Sequence, residues 1–222
     1  LTSSLLPIVA IETNGNTIAD DPKVMADMKI IYNGVGIRNY LTDTTTDYSG
    51  KIGIEYRGNY SASLPQKPYA FETWDSLGNA INVPLLGMPA ENDWLLIANY
   101  NDKSFARNIL PFHFFDEMGH YSIRSRLVDV VLDGNYQGIY LLCEKIKRDI
   151  NRVNIANLTP TEITSPDVTG GYMLKIDYWD NSNSWQLNYS PINCPKAAVH
   201  MVYVDPKAAE IVPQQPNYIQ NF

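Results

Sequence analysis

Apolar and polar residues alternate along much of the first eighty positions, the period of a half-buried strand. The alternation predicts strands over residues 6–12 and 23–32, the second with Val24, Ala26, Met28 and Ile30 against polar neighbours. It predicts two more over residues 51–56, through Ile52, Ile54 and Tyr56, and over 69–74. Each run stops at residues suited to turns: Asn14-Gly15-Asn16, Asn33-Gly34, Arg57-Gly58-Asn59, and Asp75 to Asn79. Residues 42–48, rich in Thr and Asp, read as a loop. Strands with short turns and period-two alternation predict an antiparallel meander, not a βαβ series.

The texture changes at Pro89. Residues 93–98 form a short apolar strand or turn. Over residues 104–118 the spacing becomes helical, with Phe105, Ile109 and Phe112 on one track and Leu110, Phe114 and Met118 on another. Asp102 is the expected N-cap and Gly119 the C′ residue, with a bend at Pro111. A hairpin follows, residues 126–132 against 138–144 across an Asp133-Gly134 turn region. Residues 145–152 are a charged segment, 159–171 a loop and 171–178 a further strand. The last forty residues read as irregular, with prolines at 191, 195, 206, 213 and 216, and residues 218–222 resemble the first turn of a helix. The fold class expected is α+β and strand-dominated, in a chain that reads as truncated.

Composition narrows the function. The 222 residues are 45% apolar and 11% aromatic, the make-up of a folded globular chain and not of a disordered tail or coiled coil. Seventeen basic against 24 acidic residues leave a net charge of -7, which argues against a nucleic-acid grip by bulk charge. No apolar run approaches the roughly 18 residues of a membrane span. Cys143 and Cys194 are too few for a disulfide scaffold or zinc ribbon; a buried thiol and a separate loop cysteine is the preferred reading, one bridge the other. His113, His120 and His200 are isolated, and Asp20, Asp21 and Asp43 sit in turns, so neither set reads as a metal cluster.

Three segments carry candidate chemistry. Arg57-Gly58-Asn59 followed by Lys67 places two cations around a Gly turn whose amides suit an anion, though an ordinary hairpin with surface charges has the same composition. Lys103 and Arg107 stand at the start of a helix, against the dipole preference, which points to an anionic partner or to nearby Asp. Glu144 emerges from an apolar strand and needs a cation, for which Lys67 and Arg107 are the candidates.

These segments resemble the spore coat protein H (CotH) kinase family. The likeness runs through residues 51–59, residues 67–72, Asp102 to Asn108, and Gly134 to Ile146, with residues 83–94 and 148–155 between and after them. It covers roughly residues 6–180, in order. It implies an atypical, secreted protein kinase with a reduced kinase-like fold, using ATP and Mg or Mn to phosphorylate Ser or Thr on surface or coat proteins. Residues 1–180 would then be the smaller, nucleotide-covering lobe, and 181–222 an irregular linker to a C-terminal lobe that this chain lacks. Under the resemblance Arg57, Lys67, Lys103 and Arg107 face the phosphates, and Glu144 is an orienting or hinge residue. The family's catalytic and metal-binding Asp motifs have no counterpart in context, since Tyr178-Trp179-Asp180 is followed by an Asn/Ser loop. The chain is therefore expected to be inactive alone.

A competing reading is a non-catalytic surface module in which the aromatic, Asn-rich stretch 178–189 contacts protein or carbohydrate. Self-association through an exposed face is a further expectation. Partners expected in either case are a protein and not a nucleic acid, and the location secreted or cell-surface.

Overall fold

The computed structural model describes residues 1–221. They form two compact units, one spanning Leu1–Lys145 and one from Ile146 onward. The main sheet of the first unit is built from seven strands: β1 (Ile8–Glu12), β2 (Val24–Ile31), β3 (Tyr48–Tyr56), β4 (Tyr69–Trp74), β5 (Asp93–Ala98), β6 (Ser125–Leu132) and β7 (Asn135–Glu144). They close into a barrel in the order β6-β7-β5-β4-β3-β2-β1. Every pairing is antiparallel, as the alternation predicts, except the one that closes the ring. There β6 runs parallel to β1, with Asp129 beside Ile8 and Leu132 beside Ile11. The fold is α+β as expected, with an antiparallel-rich sheet and a flanking helix, and the sheet closes into a barrel. Closure removes both sheet edges, which an open meander would leave unpaired.

Period-two alternation decides which side chains fill the barrel. Val9 and Ile11, Met28 and Ile30, Ile52 and Ile54, Phe71, Trp94 and Leu96, and Tyr140 and Leu142 all point inward and are buried. Each fully buried side chain of this size contributes roughly 1.5–3 kcal/mol from apolar area alone. On the outside, Gly53 leaves room for an indole ring. A Cβ placed there would come within 2.0 Å of Trp74, whose Nε1 donates to Glu72 at 3.1 Å.

The helix α1 (Ala106–Glu117) lies against the outer face of the barrel. Ile109 and Phe112 pack on a patch made by Ala70, Leu95, Leu141 and Cys143. The helix starts two residues later than the expected 104–118 and ends one earlier. Phe105, not Asp102, occupies the N-cap position, in a left-handed conformation (φ 57°). Asp102 still serves the helix start: its carboxylate accepts the Arg107 N–H at 2.9 Å and the Ser104 N–H at 3.1 Å. The hairpin is also tighter than expected. Asp133 and Gly134, both at positive φ (47° and 74°), make the whole turn, so that Leu132 pairs directly with Asn135.

The second unit contains β8 (Met173–Ile176), β9 (Ser184–Gln186) and β10 (His200–Asp205), arranged β8-β10-β9, and α2 (Gln214–Asn221). Residues 181–222, expected to be an irregular linker, thus carry two strands and a helix. The prolines do not prevent this, because Pro213 precedes α2 and Pro216 falls in its first turn, where no backbone N–H is needed. Of the expected terminal turn over 218–222, Phe222 lies outside the described residues. Buried Gln215 anchors α2 by donating to the carbonyls of Thr159 (2.6 Å) and Glu162 (3.1 Å). Among the described residues no helix is long and apolar enough to cross a membrane.

Candidate functional site

The turn after β3 is built around Gly58. Its φ of 87° suits glycine, and a Cβ there would lie 2.2 Å from the Ser61 hydroxyl. The base of the turn is closed by the Arg57 N–H donating to the Pro68 carbonyl at 3.2 Å. Its far side is held by the Lys67 ammonium, which donates to the Ala62 carbonyl at 2.7 Å. Lys67 therefore shapes the loop that carries Arg57.

Next to this loop, the entry to α1 opens a cavity of about 400 Å³ lined by Gln66, Asn99, Lys103, Gln137 and Gly138, among others. That size lies within the range of roughly 300–1,000 Å³ usual for small-molecule sites. Gln66 spans the wall, its Nε2 donating to the Ile139 carbonyl at 3.0 Å. Gly138 makes the approach possible: at φ 108° its added Cβ would meet that same nitrogen at 2.9 Å. Lys103 lies 4.9 Å over the Tyr100 ring and enters no ion pair among the described residues. The Asn99 amide nitrogen is buried without a hydrogen-bond partner. Asp102, by contrast, is fully engaged. Its hydrogen bond from the Ser104 hydroxyl at 2.5 Å, then those from the backbone, hold its carboxyl below the usual carboxylate range.

Arg107 does not join Lys103. Its guanidinium is mostly exposed, 3.9 Å from the Asp102 carboxylate, and it lines a different groove with Leu110, Pro111 and Phe114. The left-handed Phe105 between them turns the chain, so the two cations face different surfaces.

Glu144 lies at the opposite end of β7. The register pairs Glu144 with Trp94, whereas Tyr140, toward the cavity, pairs with Ala98. Its side chain is completely buried and accepts from the Arg124 guanidinium (2.6 Å), the Arg124 N–H (3.1 Å) and the Tyr121 hydroxyl (3.0 Å). The partner is thus Arg124 and not Lys67 or Arg107. The reason is register: Ser125 pairs with Cys143, which sets Arg124 beside Glu144. The next residue, Lys145, pairs with Asp93 at 3.0 Å. Cys143 offers no nucleophile here, because burial pushes its thiol up to about 12 despite the opposing pull of Arg57. Neither cysteine is bridged.

Of the five residues singled out in the sequence, Lys103 alone lines this cavity, beside Pro65 and Gln66 from the segment ahead of Lys67, while Arg57, Lys67, Arg107 and Glu144 are not in its wall. Arg124 was missed, although it immediately precedes a predicted strand that pairs with the one ending at Glu144. A second missed cluster is Lys23 between Glu55 and Glu72, 3.1 Å from each.

A family model described as CotH kinase protein matches residues 54–205. The chain belongs to the CotH kinase family. No curated protein matches it. The CotH match takes in Arg57, Lys67, Lys103, Arg107 and Glu144 and continues through β10. For a nucleotide, this CotH chain offers the cavity with its unpaired ammonium. Among the described residues no group of three or more His, Cys, Asp or Glu is placed to hold a metal ion.

Proposed function

We propose that this CotH-family chain is the nucleotide-handling part of a protein kinase that uses ATP with Mg or Mn and phosphorylates Ser or Thr on surface or coat proteins outside the cell. The observation that carries the reading is the family match across residues 54–205, which spans every candidate residue. When bound, ATP supplies the phosphoryl group that such an enzyme transfers. The protein's part here is to bind and orient. Lys103 contributes charge at the cavity, Arg57 charge at the edge of its loop, and Lys67 holds that loop in shape. Glu144, locked by Arg124 and Tyr121, fixes the end of β7 where the first unit ends. No described residue is assigned to the metal, and this stretch is taken to bind nucleotide without transferring phosphate.

The test is calorimetric titration of the chain with Mg-ATP, paired with intact mass after incubation with Mg-ATP or Mn-ATP. Saturable binding is expected, weakened about tenfold by Lys103→Met, as loss of one charge-assisted contact to phosphate implies. No phosphate-sized mass gain is expected. An absence of binding at millimolar ATP would overturn the nucleotide reading. A mass gain would overturn the claim that this stretch is inactive.

A second reading, a carbohydrate- or protein-binding module, is favoured by three exposed rings in the second unit. Tyr178, Trp179 and Tyr189 are 79%, 51% and 72% exposed. Aromatic faces of this kind stack on sugars and partner surfaces. Retention on a polysaccharide column that is lost in Trp179→Ala would support it; passage at the void volume would dismiss it.

A further inference from the structure

One buried donor in the first unit is left unused by its own fold. Asn99 follows directly on β5 and lines the same cavity as Lys103. It is only 5% exposed, and its amide nitrogen has no hydrogen-bond partner among the described residues. Its carbonyl is engaged: it accepts the Asp102 N–H at 2.9 Å and closes the turn that leads to Lys103. Leaving a buried amide unpaired is costly, and native proteins satisfy nearly all such groups. The other side-chain amides of the wall have partners. Gln66 donates to the Ile139 carbonyl and Gln137 to the Asn135 carbonyl at 3.1 Å, while the Tyr136 hydroxyl donates to Asp129 at 2.6 Å. Among the described residues no acidic side chain lines the cavity. Asp102, next to Lys103, has its carboxylate engaged by the Ser104 hydroxyl and the Arg107 N–H. The wall therefore leaves open a cation and a buried N–H donor, carried on one turn four residues apart.

We propose that Asn99 and Lys103 together form an oxyanion site, the amide N–H and the ammonium receiving oxygens of one phosphate group of a polyphosphate. A donor without an acceptor and an ammonium without a carboxylate suit a ligand group that is all acceptor and negatively charged, as a phosphate is. The two residues divide the work. An ammonium on a flexible stem supplies charge with little direction. The Asn99 amide sits on a turn whose backbone is hydrogen-bonded, so it supplies the direction and orients the phosphate. The inference rests on the nucleotide reading of this cavity for its phosphate, and it adds the residue that positions that group.

The experiment is calorimetric titration of the whole chain with Mg-ATP and, separately, with inorganic tripolyphosphate, on the parent, Asn99→Leu and Asn99→Asp. Hydrogen exchange across β5 checks the fold of each. Both ligands are expected to bind the parent. Asn99→Leu, close in size, should weaken both about tenfold, as loss of one hydrogen bond to a charged group implies, while β5 protection holds or rises because the unpaired amide is gone. Asn99→Asp should weaken both further by setting a carboxylate against phosphate. Tripolyphosphate that fails to bind a chain that binds ATP overturns the inference and leaves the nucleotide reading in place. So does an Asn99→Leu variant that binds as the parent does, or one that loses β5 protection together with binding. An Asn99→Asp variant that binds no worse than Asn99→Leu has the same consequence. Tripolyphosphate binding without ATP binding supports the oxyanion site and removes the nucleotide reading. No binding of either ligand overturns both.

Discussion

The indole of Trp74 lying over Gly53 gives a quantitative prediction. Glycine at position 53 is not needed for backbone reasons, since its φ lies outside the left-handed range. Alanine would therefore cost nothing but space. The added Cβ would stand 2.0, 2.3 and 2.4 Å from three atoms of the Trp74 ring, all below the 3.0 Å that real Cβ contacts respect. The ring must move by about an ångström or more, and its hydrogen bond to Glu72 moves with it. Overpacking of this kind costs typically 1–3 kcal/mol, so Gly53→Ala should destabilise the barrel by about 2 kcal/mol. In the Trp74→Ala background the clash is gone. What remains is the stiffer unfolded chain, worth roughly 0.5 kcal/mol in the stabilising direction. The coupling between the two sites should then be about 2.5 kcal/mol, near the upper end for neighbouring residues. The chain has two compact units, so a global melt would mix them. Hydrogen exchange at the β3 amides of Ile52 and Ile54 reads the barrel directly. An equal loss of protection from Gly53→Ala in both backgrounds would refute the steric argument.

Two further outcomes follow from the titrating groups. Burial acts to lower the Lys23 pKa, but hydrogen bonds to Glu55 and Glu72 outweigh it and hold the group above its ordinary 10.5. Its stabilising contribution is complete below 10.5 and disappears as pH rises through the raised folded value, so barrel protection should separate the parent from Lys23→Met at neutral pH and converge in strong alkali. A gap that widens with alkali would reverse the assignment. Burial pushes the Cys143 thiol up to about 12, whereas Cys194 is exposed, so a thiol reagent near pH 8 should label one cysteine per folded chain. Rapid labelling of both, with the fold intact by circular dichroism, would contradict the burial of β7.

Local structure was legible where adjacent residues decide it. The strands of the meander and the β6–β7 turn follow from alternation and from Asp133-Gly134, and the structure moves their ends by only a few residues. It tightens the turn because Tyr136 can pair with Val131 while its hydroxyl donates to Asp129 at 2.6 Å. Closure of the barrel was not legible. It joins Ile8 to Asp129, far apart in the chain, and no pattern around Ile8 distinguishes a strand that pairs on one side from one that pairs on both. The candidate site divides in the same way. That Glu144 is buried and needs a cation follows from the apolar run before it, but which cation depends on strand register. That Lys103 and Arg107 part company depends on one left-handed residue, Phe105, whose type gives no hint of a positive φ.

The parallel seam between β1 and β6 has a practical consequence. The family match begins at Ile54, inside β3, so β1, β2 and most of β3 precede it. A protein trimmed to the matched stretch would lose two staves of the seven and more than half of a third. The partners of β4 and β6 would go with them, uncovering a row of backbone N–H and C=O groups on each. Long unpaired rows of that kind recruit other chains, and the trimmed protein would collect as insoluble aggregate for reasons unrelated to its chemistry. Cloning boundaries should therefore follow the hydrogen-bonded ring and begin ahead of Ile8.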